Sequence, residues 1–258
     1  MALSNDKKEE VAGLLKAKIR EKLKNYSPET QQMPFHFRLL GKDRMALYSF
    51  VHSVNTMLGQ SVFEKVAQII ADDRFDEAKE HHYVEGYLSD KAVLEIDSIM
   101  QELKSAKTAL SFAEQDRRIK NSAGKGKLGT RQKITADLYL RKGNIEYFFE
   151  IKTVKPNIDV FVATKLKLLQ WKALRYGSDA KVSVKSYICI PYNPEAPKPY
   201  ARWTLQGLYD LKNEVLVAEE FWDFLGGKGT YEELLNVFEN AGIELRDEID
   251  ERFKAFKG

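Results

Sequence analysis

Residues 134–154, ITADLYLRKGNIEYFFEIKTV, decide the architecture. Ile134, Ala136, Leu138 and Leu140 alternate with Thr135, Asp137, Tyr139 and Arg141, the two-residue period of a strand. Residues 145–154 are rich in β-branched and aromatic side chains and read as a second strand. Gly143-Asn144 between them is a two-residue hairpin signal. That turn pairs Lys142 with Ile145; counting back, it pairs Leu138 with Phe149, Asp137 with Glu150 and Thr135 with Lys152. Opposed residues share a face, with Cβ atoms about 4.5–5.5 Å apart. Two carboxylates at that spacing repel unless something such as a divalent cation neutralises them. Lys152, two residues from Glu150, shares the face. Leu138, Phe148, Phe149 and Ile151 are apolar and argue for a buried hairpin rather than a solvated one. Asp, Glu and Lys side by side in an apolar sheet cost stability, and chemistry is the usual reason to keep them.

Upstream, residues 6–25 form an amphipathic helix with Val11, Leu14, Leu15, Ile19 and Leu23 on one stripe, and Asp6 with Glu9 as a capping box. Residues 43–58 are helical and stop at Gly59. A second helix over 61–71 buries Phe63, Val66, Ile69 and Ile70. Glu64 has two readings here: partner of Ser61 in a capping box, or a site residue. Residues 74–90 read as polar and irregular, with His81 and His82 on the surface. Ser89 caps one long helix over 90–118. Residues 117–133, RRIKNSAGKGKLGTRQK, hold seven basic residues, no acidic ones and three glycines, a composition suited to following a phosphate backbone.

Downstream, residues 158–176 form a helix whose Lys165, Lys167, Gln170, Lys172 and Arg175 are polar or basic. Residues 182–192 form a strand. Strand, helix, strand implies a crossover, so this strand runs parallel to the one carrying Glu150. Residues 215–224, 230–241 and 243–256 are helical, with a capping box at Thr230 and Glu233.

The chain has 258 residues, of which 43% are hydrophobic and 31% charged, enough apolar content for a sizeable core. There is no run of 18 apolar residues and no secretory h-region at the start, so a cytoplasmic protein without a membrane segment is expected. The one cysteine, Cys189, excludes an internal disulfide and a cysteine-cluster zinc site. Net charge is +3, but residues 210–258 carry 13 acidic and 6 basic side chains, a balance of −7, leaving +10 on the rest. A basic body with an acidic end suits a polyanionic partner on one side.

The helix with Glu64, the strand with Asp137, its partner with Glu150-Ile151-Lys152, a helix and a parallel strand together resemble the PD-(D/E)XK nuclease superfamily, most closely a type II restriction endonuclease. Gly59-x-Ser61-x-Phe63-Glu64 and Glu220-Phe221-Trp222-Asp223-Phe224-Leu225-Gly226-Gly227 have the look of those enzymes. The departure is Ala136, where the pattern has Pro. The resemblance implies an α/β fold with a restriction-endonuclease-like core: a central mixed β-sheet flanked by helices. It implies one nuclease domain, with a helical N-terminal elaboration at 1–57, the catalytic core at 58–193 and a helical C-terminal elaboration at 194–258. It also implies a homodimer making Mg²⁺-dependent, sequence-specific cuts in double-stranded DNA, with Mn²⁺ as a substitute metal and a cognate DNA methyltransferase in the same cell. Asp137 and Glu150, with the Ile151 or Phe149 main chain, would hold the metal. Glu64 would sit near it through water, and Lys152 would orient the attacking water. Candidate DNA contacts are Arg117, Arg118, Lys120, Lys125, Lys127, Arg131, Lys133, Asn193 and Arg202. Two other readings stay open: a structure-specific repair nuclease or junction resolvase of the same fold, and a DNA-binding module without catalysis.

Overall fold

The structure is a computed structural model that describes residues 2–27, 32–105, 111–153, 156–200, 205 and 207–254. The chain begins with α1 (Asn5–Asn25), α2 (Pro34–Leu40) and α3 (Lys42–Met57). α3 does not stop at Gly59. It runs through a single π turn, Leu58–Val62, directly into α4 (Phe63–Ala71). A Cβ at Gly59 would lie 2.5 Å from Cγ2 of Thr153, so the bare backbone lets this turn rest on the end of the Glu150 strand.

Residues 74–90 correct the sequence reading. They are not irregular but supply β1 (Glu77–Ser89), an edge strand of 13 residues. Its polar composition reflects an edge with one solvated face. The long helix expected over 90–118 is two helices, α5 (Asp90–Ser105) and α6 (Phe112–Ser122), with Ser111 capping the second. Ser89 does cap the first, accepting the Ala92 N–H at 3.2 Å. Ala106 and Leu110, read into that helix, lie outside the described residues.

β2 (Leu128–Lys142) and β3 (Ile145–Ile151) form the hairpin around Gly143-Asn144, with Gly143 at φ 59°. The register is the expected one from Lys142↔Ile145 to Leu138↔Phe149. α7 (Ile158–Ser178) crosses over to β4 (Ser183–Ile190), which pairs parallel with β3 as the crossover requires. β5 (Val215–Val217) replaces the start of the helix expected over 215–224, and α8 (Glu219–Gly226), α9 (Thr230–Glu244) and α10 (Arg246–Lys254) complete the chain. The sheet is mixed, in the order β1-β2-β3-β4-β5.

Helices cover both sheet faces. One face packs on α5 and α7 through Val84, Ile96, Phe148, Phe161 and Trp171. The other packs on α1, α4, α8 and α9 through Val66, Leu138, Phe149, Phe221 and Trp222. The three expected capping boxes are absent. Ser61 Oγ donates to the Met57 carbonyl instead of capping α4. Glu233 turns away from the start of α9 and accepts the N–H groups of Ala2 and Leu3, pinning the N-terminus. Ser4, rather than Asp6, caps α1.

The alternation of β2 breaks at Asp137. Leu138 and Leu140 pack against the α4 side, whereas Ala136 packs against the α7 side. β1 does the same. Glu80 meets Lys65 of α4, and His82 stacks on Tyr139 and Phe148 at the other face. The Cα register is unchanged across this point, Glu80↔Leu138 and His82↔Ala136, but His81 and Asp137 make no pair, and His81 has φ 49°. Each strand spends one residue crossing from one face to the other, and Asp137 is that residue on β2.

Candidate active site

The site lies where the β2–β3 ladder ends. The ladder stops at Leu138↔Phe149, so the expected pair of Asp137 with Glu150 does not form; instead Asp137 Oδ2 accepts the Ile151 N–H at 2.7 Å. The N–H and C=O of a strand residue point to the same side, so the Ile151 carbonyl also faces the β2 side. Lys152 leaves the hairpin: its N–H donates to the Cys189 carbonyl at 2.9 Å, and the expected pairing with Thr135 does not form.

Lys152 Nζ lies 2.7 Å from Glu150 Oε1 and 3.7 Å from Asp137 Oδ2. The other Glu150 oxygen accepts from Lys167 on α7. Lys167 was legible in the sequence only as one of several polar helix residues; the crossover brings it over Glu150. Glu64 comes from α4, free of any capping role, with its side chain 8% exposed. Its Oε2 makes no hydrogen bond, although His81 Nδ1 lies 3.2 Å away. His81 therefore borders the site, and His82, stacked on Tyr139 at 4.2 Å, is half-buried, with burial lowering its pKa. His81 is exposed, as the sequence suggested, while His82 is not the surface histidine expected.

The electrostatics follow from three carboxylates against two lysines. Burial first, then the charge of Asp137, pushes Glu64 up to about 8. Burial and Glu150 likewise raise Asp137. Burial acts to lower Lys152, but Glu150, Asp137 and Glu64 together outweigh it and leave it raised. In the protein alone, Lys152 is thus a firm cation rather than a lysine primed to lose its proton.

This donor set fits a hard divalent cation. Mg²⁺ takes one or two carboxylates, carbonyl oxygen and retained waters, and Asp137, Glu150 and the Ile151 carbonyl are of those kinds. The buried, unpaired oxygen of Glu64 and the raised carboxylates show negative charge in excess of what the lysines neutralise. Among the described residues no three His, Cys, Asp or Glu side chains form a ready-made metal cage.

Of the expected DNA contacts that are described, Arg118 and Asn193 are tied up within the protein and the others are exposed. Arg118 is withdrawn, bound to Glu95, Glu102 and Ser98 with its side chain 18% exposed. Arg117 pairs with Glu114 one turn away, and Lys120 leans over the Tyr176 ring at 5.3 Å. The Asn193 amide is committed at both ends, donating to the Lys198 carbonyl and accepting the Glu195 N–H. Lys125, Lys127, Arg131 and Lys133 are exposed. The basic stretch over 117–133 is the end of α6, a short turn and the start of β2. Arg202 lies outside the described residues.

Comparison with known proteins agrees with this architecture over nearly the whole chain. A family model described as "Type II restriction endonuclease, HinfI" matches residues 3–242. The type II restriction enzyme HgiEI of Herpetosiphon aurantiacus is 30% identical over 238 residues, covering 89% of this chain and 84% of the relative. HgiCII of the same organism is 28% identical, covering 85% and 81%. The type II restriction enzyme MjaII of Methanocaldococcus jannaschii is 27% identical over 85% of this chain and 65% of its own length.

Proposed function

Because the chain belongs to the HinfI family of type II restriction endonucleases, we propose that Asp137, Glu150 and Lys152 are its catalytic set, with Glu64 beside them and Mg²⁺ as the metal. The family makes the chain an endodeoxyribonuclease that acts on DNA with a divalent metal. The observation that carries the site assignment is the convergence of Glu64, Asp137 and Glu150 on Lys152, with one buried carboxylate oxygen unpaired.

Asp137, Glu150 and the Ile151 carbonyl hold the metal in this reading. Bound there, Mg²⁺ supplies an acidified water and neutralises charge on the phosphate. Asp137 is held by the Ile151 N–H, so its carboxylate is oriented before substrate arrives. Lys152, kept cationic by its neighbours, donates to the attacking water or a phosphate oxygen and fixes its position. Lys167 holds Glu150 from the opposite side. Glu64 Oε2 accepts no hydrogen bond and lies 3.2 Å from His81 Nδ1 at the edge of the site.

A double-strand cut takes two such sites, and each chain has one, so a homodimer is the natural unit. Phe35, Leu39, Leu40, Leu47, Tyr48 and Val51 on α2 and α3 are exposed and supply an apolar surface for a second copy. No helix among the described residues is long and apolar enough to cross a membrane. Acting on a cell's DNA places the work in the cytoplasm and calls for a methyltransferase of matching specificity to protect the host's own sites.

The test is incubation of plasmid and viral DNA with Mg²⁺, Mn²⁺ or EDTA beside a Lys152→Ala control. Discrete fragments that need the metal and Lys152 are expected, with cutting reduced at least ~10³-fold in the variant. Full activity in Lys152→Ala would sink the site assignment. Cutting of branched or single-stranded DNA alone would favour a repair nuclease. Salt-sensitive binding without cutting would favour a non-catalytic module.

A further inference from the structure

We propose that the outer face of the β1–β2 ribbon beyond the active site enters a groove of the DNA and reads bases. Arg131 and Lys133 are the donors, Glu85 the acceptor between them, and Tyr83 and Tyr87 the contact surface. This rests on the nuclease reading and adds to it the element that selects the sequence.

The topology sets the ribbon apart. β3 pairs with β2 only from Leu138 to Lys142. On the other side of Asp137, β1 and β2 continue together from His82↔Ala136 to Tyr87↔Arg131, with no third strand among the described residues. The ribbon is not a loose arm. Val84 and Leu88 bury its inner face against α5 and α7, and a Cβ on Gly86 would touch Leu174 and Ser178 of α7 at 3.5 and 3.4 Å. A supported two-stranded ribbon is one of the shapes the major groove of B-DNA admits.

The face crossing at His81 and Asp137 decides what the ribbon shows to solvent. Beyond it, residues 83, 85 and 87 of β1 and 131 and 133 of β2 project outward, on the sheet side that carries Glu64. Tyr83 and Tyr87 are each 51% exposed, Arg131 65% and Lys133 56%. Two half-bare tyrosines between basic side chains do not serve the core. Nor do the exposed ion pairs account for them, since such pairs contribute little to stability.

The groups are pre-arranged. Lys133 Nζ stands 3.8 Å over the Tyr83 ring, and Tyr87 is the cross-strand partner of Arg131. Both cations also contact Glu85. Arg and Lys suit the O6 and N7 acceptors of guanine, and a carboxylate suits the N4 donor of cytosine, so this cluster matches a G·C pair. Position fits as well. At ~3.3 Å per strand residue, Lys133 and Arg131 stand roughly 13 and 20 Å along the strand from Asp137. That distance spans about four to six base pairs at ~3.4 Å each, the scale of a short recognition site cut within or beside itself.

The experiment measures binding, without metal, of Arg131→Ala, Lys133→Gln and Glu85→Gln to duplexes carrying the site read from wild-type fragments. Single base-pair changes in that site and an unrelated duplex complete the set. Lys181→Ala, an exposed lysine at the opposite end of the sheet, is the control. Arg131→Ala is expected to lose about 10–100-fold on the cognate duplex and its discrimination at one base pair, with less than ~3-fold change on unrelated DNA. An equal loss on every duplex would reduce the ribbon to a phosphate contact and overturn base reading. So would no loss from any of the three variants. Wild-type protein that cuts no DNA would instead overturn the nuclease reading, a separate outcome.

Discussion

Helix α7 carries three lysines that meet carboxylates, and they fall into two kinds of surroundings. Lys165 is fully buried against Glu214, whose second oxygen accepts the Asp210 N–H at 2.9 Å. Lys172, also buried, meets Asp116 at 2.9 Å, and the Tyr176 hydroxyl donates to the same carboxylate. Each of these is one cation to one acid with the remaining acceptors filled. Lys167 instead joins a cluster of two lysines and three carboxylates with an orphaned oxygen. The lysines of the balanced pairs are buried more completely than those of the site. What distinguishes the candidate site is its surplus of negative charge, and the sequence pattern around residues 165–172 does not separate the two.

The largest expected effect tests the balanced side. Lys165→Met leaves Glu214 buried and unpaired and is expected to cost roughly 3–5 kcal/mol. Lys165→Met with Glu214→Leu should recover most of it. Denaturant melts of the two variants decide this, and a cost below ~1 kcal/mol for the single change would erase the contrast with the site.

Next comes the unbalanced side. Glu64 holds its proton up to about 8 in the folded protein against an ordinary value of 4.5. Its folded form therefore binds the proton more tightly, so stability is greatest below 4.5 and falls as pH rises towards 8. Glu64→Gln removes that fall. The metal-free variant should gain on the order of 2 kcal/mol over wild type at pH 8 and almost nothing at pH 4. Parallel melting curves at both pH values would sink the idea that the site stores unneutralised charge.

The smallest effect concerns a surface cluster with donors in excess. Lys8 and the Ala2 and Leu3 N–H groups lower Glu233 to about 2. Its stabilisation is present above 4.5 and lost as pH falls through 2. Glu233→Gln should loosen α1 by less than ~1 kcal/mol near neutral pH and abolish the acid step, readable by helix circular dichroism between pH 5 and 2. An acid step that survives the substitution would assign it to other carboxylates.

The chain order itself determined a good deal. Gly143-Asn144 and the two-residue alternation specify the hairpin, because turn type and strand period are local and set register without help from the rest of the fold. That register carries the two strands to within one residue of Asp137 and Glu150, where the ladder ends. The crossover after β3 makes β4 parallel, because handedness and connection length leave little choice. Tertiary structure decided what depends on distant partners. β1 is polar enough to read as irregular and becomes a strand only because β2 offers it an edge. Ser61 and Glu64 match a capping box, yet continuous winding from α3 through a π turn into α4 frees Glu64 for the site. Lys167 and Lys165 sit two positions apart on one helix, but the packing of α7 across the sheet sends one to Glu150 and the other to Glu214. The crossing of faces at His81 and Asp137 occurs in both strands at once, so neither strand's pattern reveals it alone. Period and turn chemistry act over a few residues and are written in the chain; the destination of a buried charge depends on which elements meet, and only packing settles that.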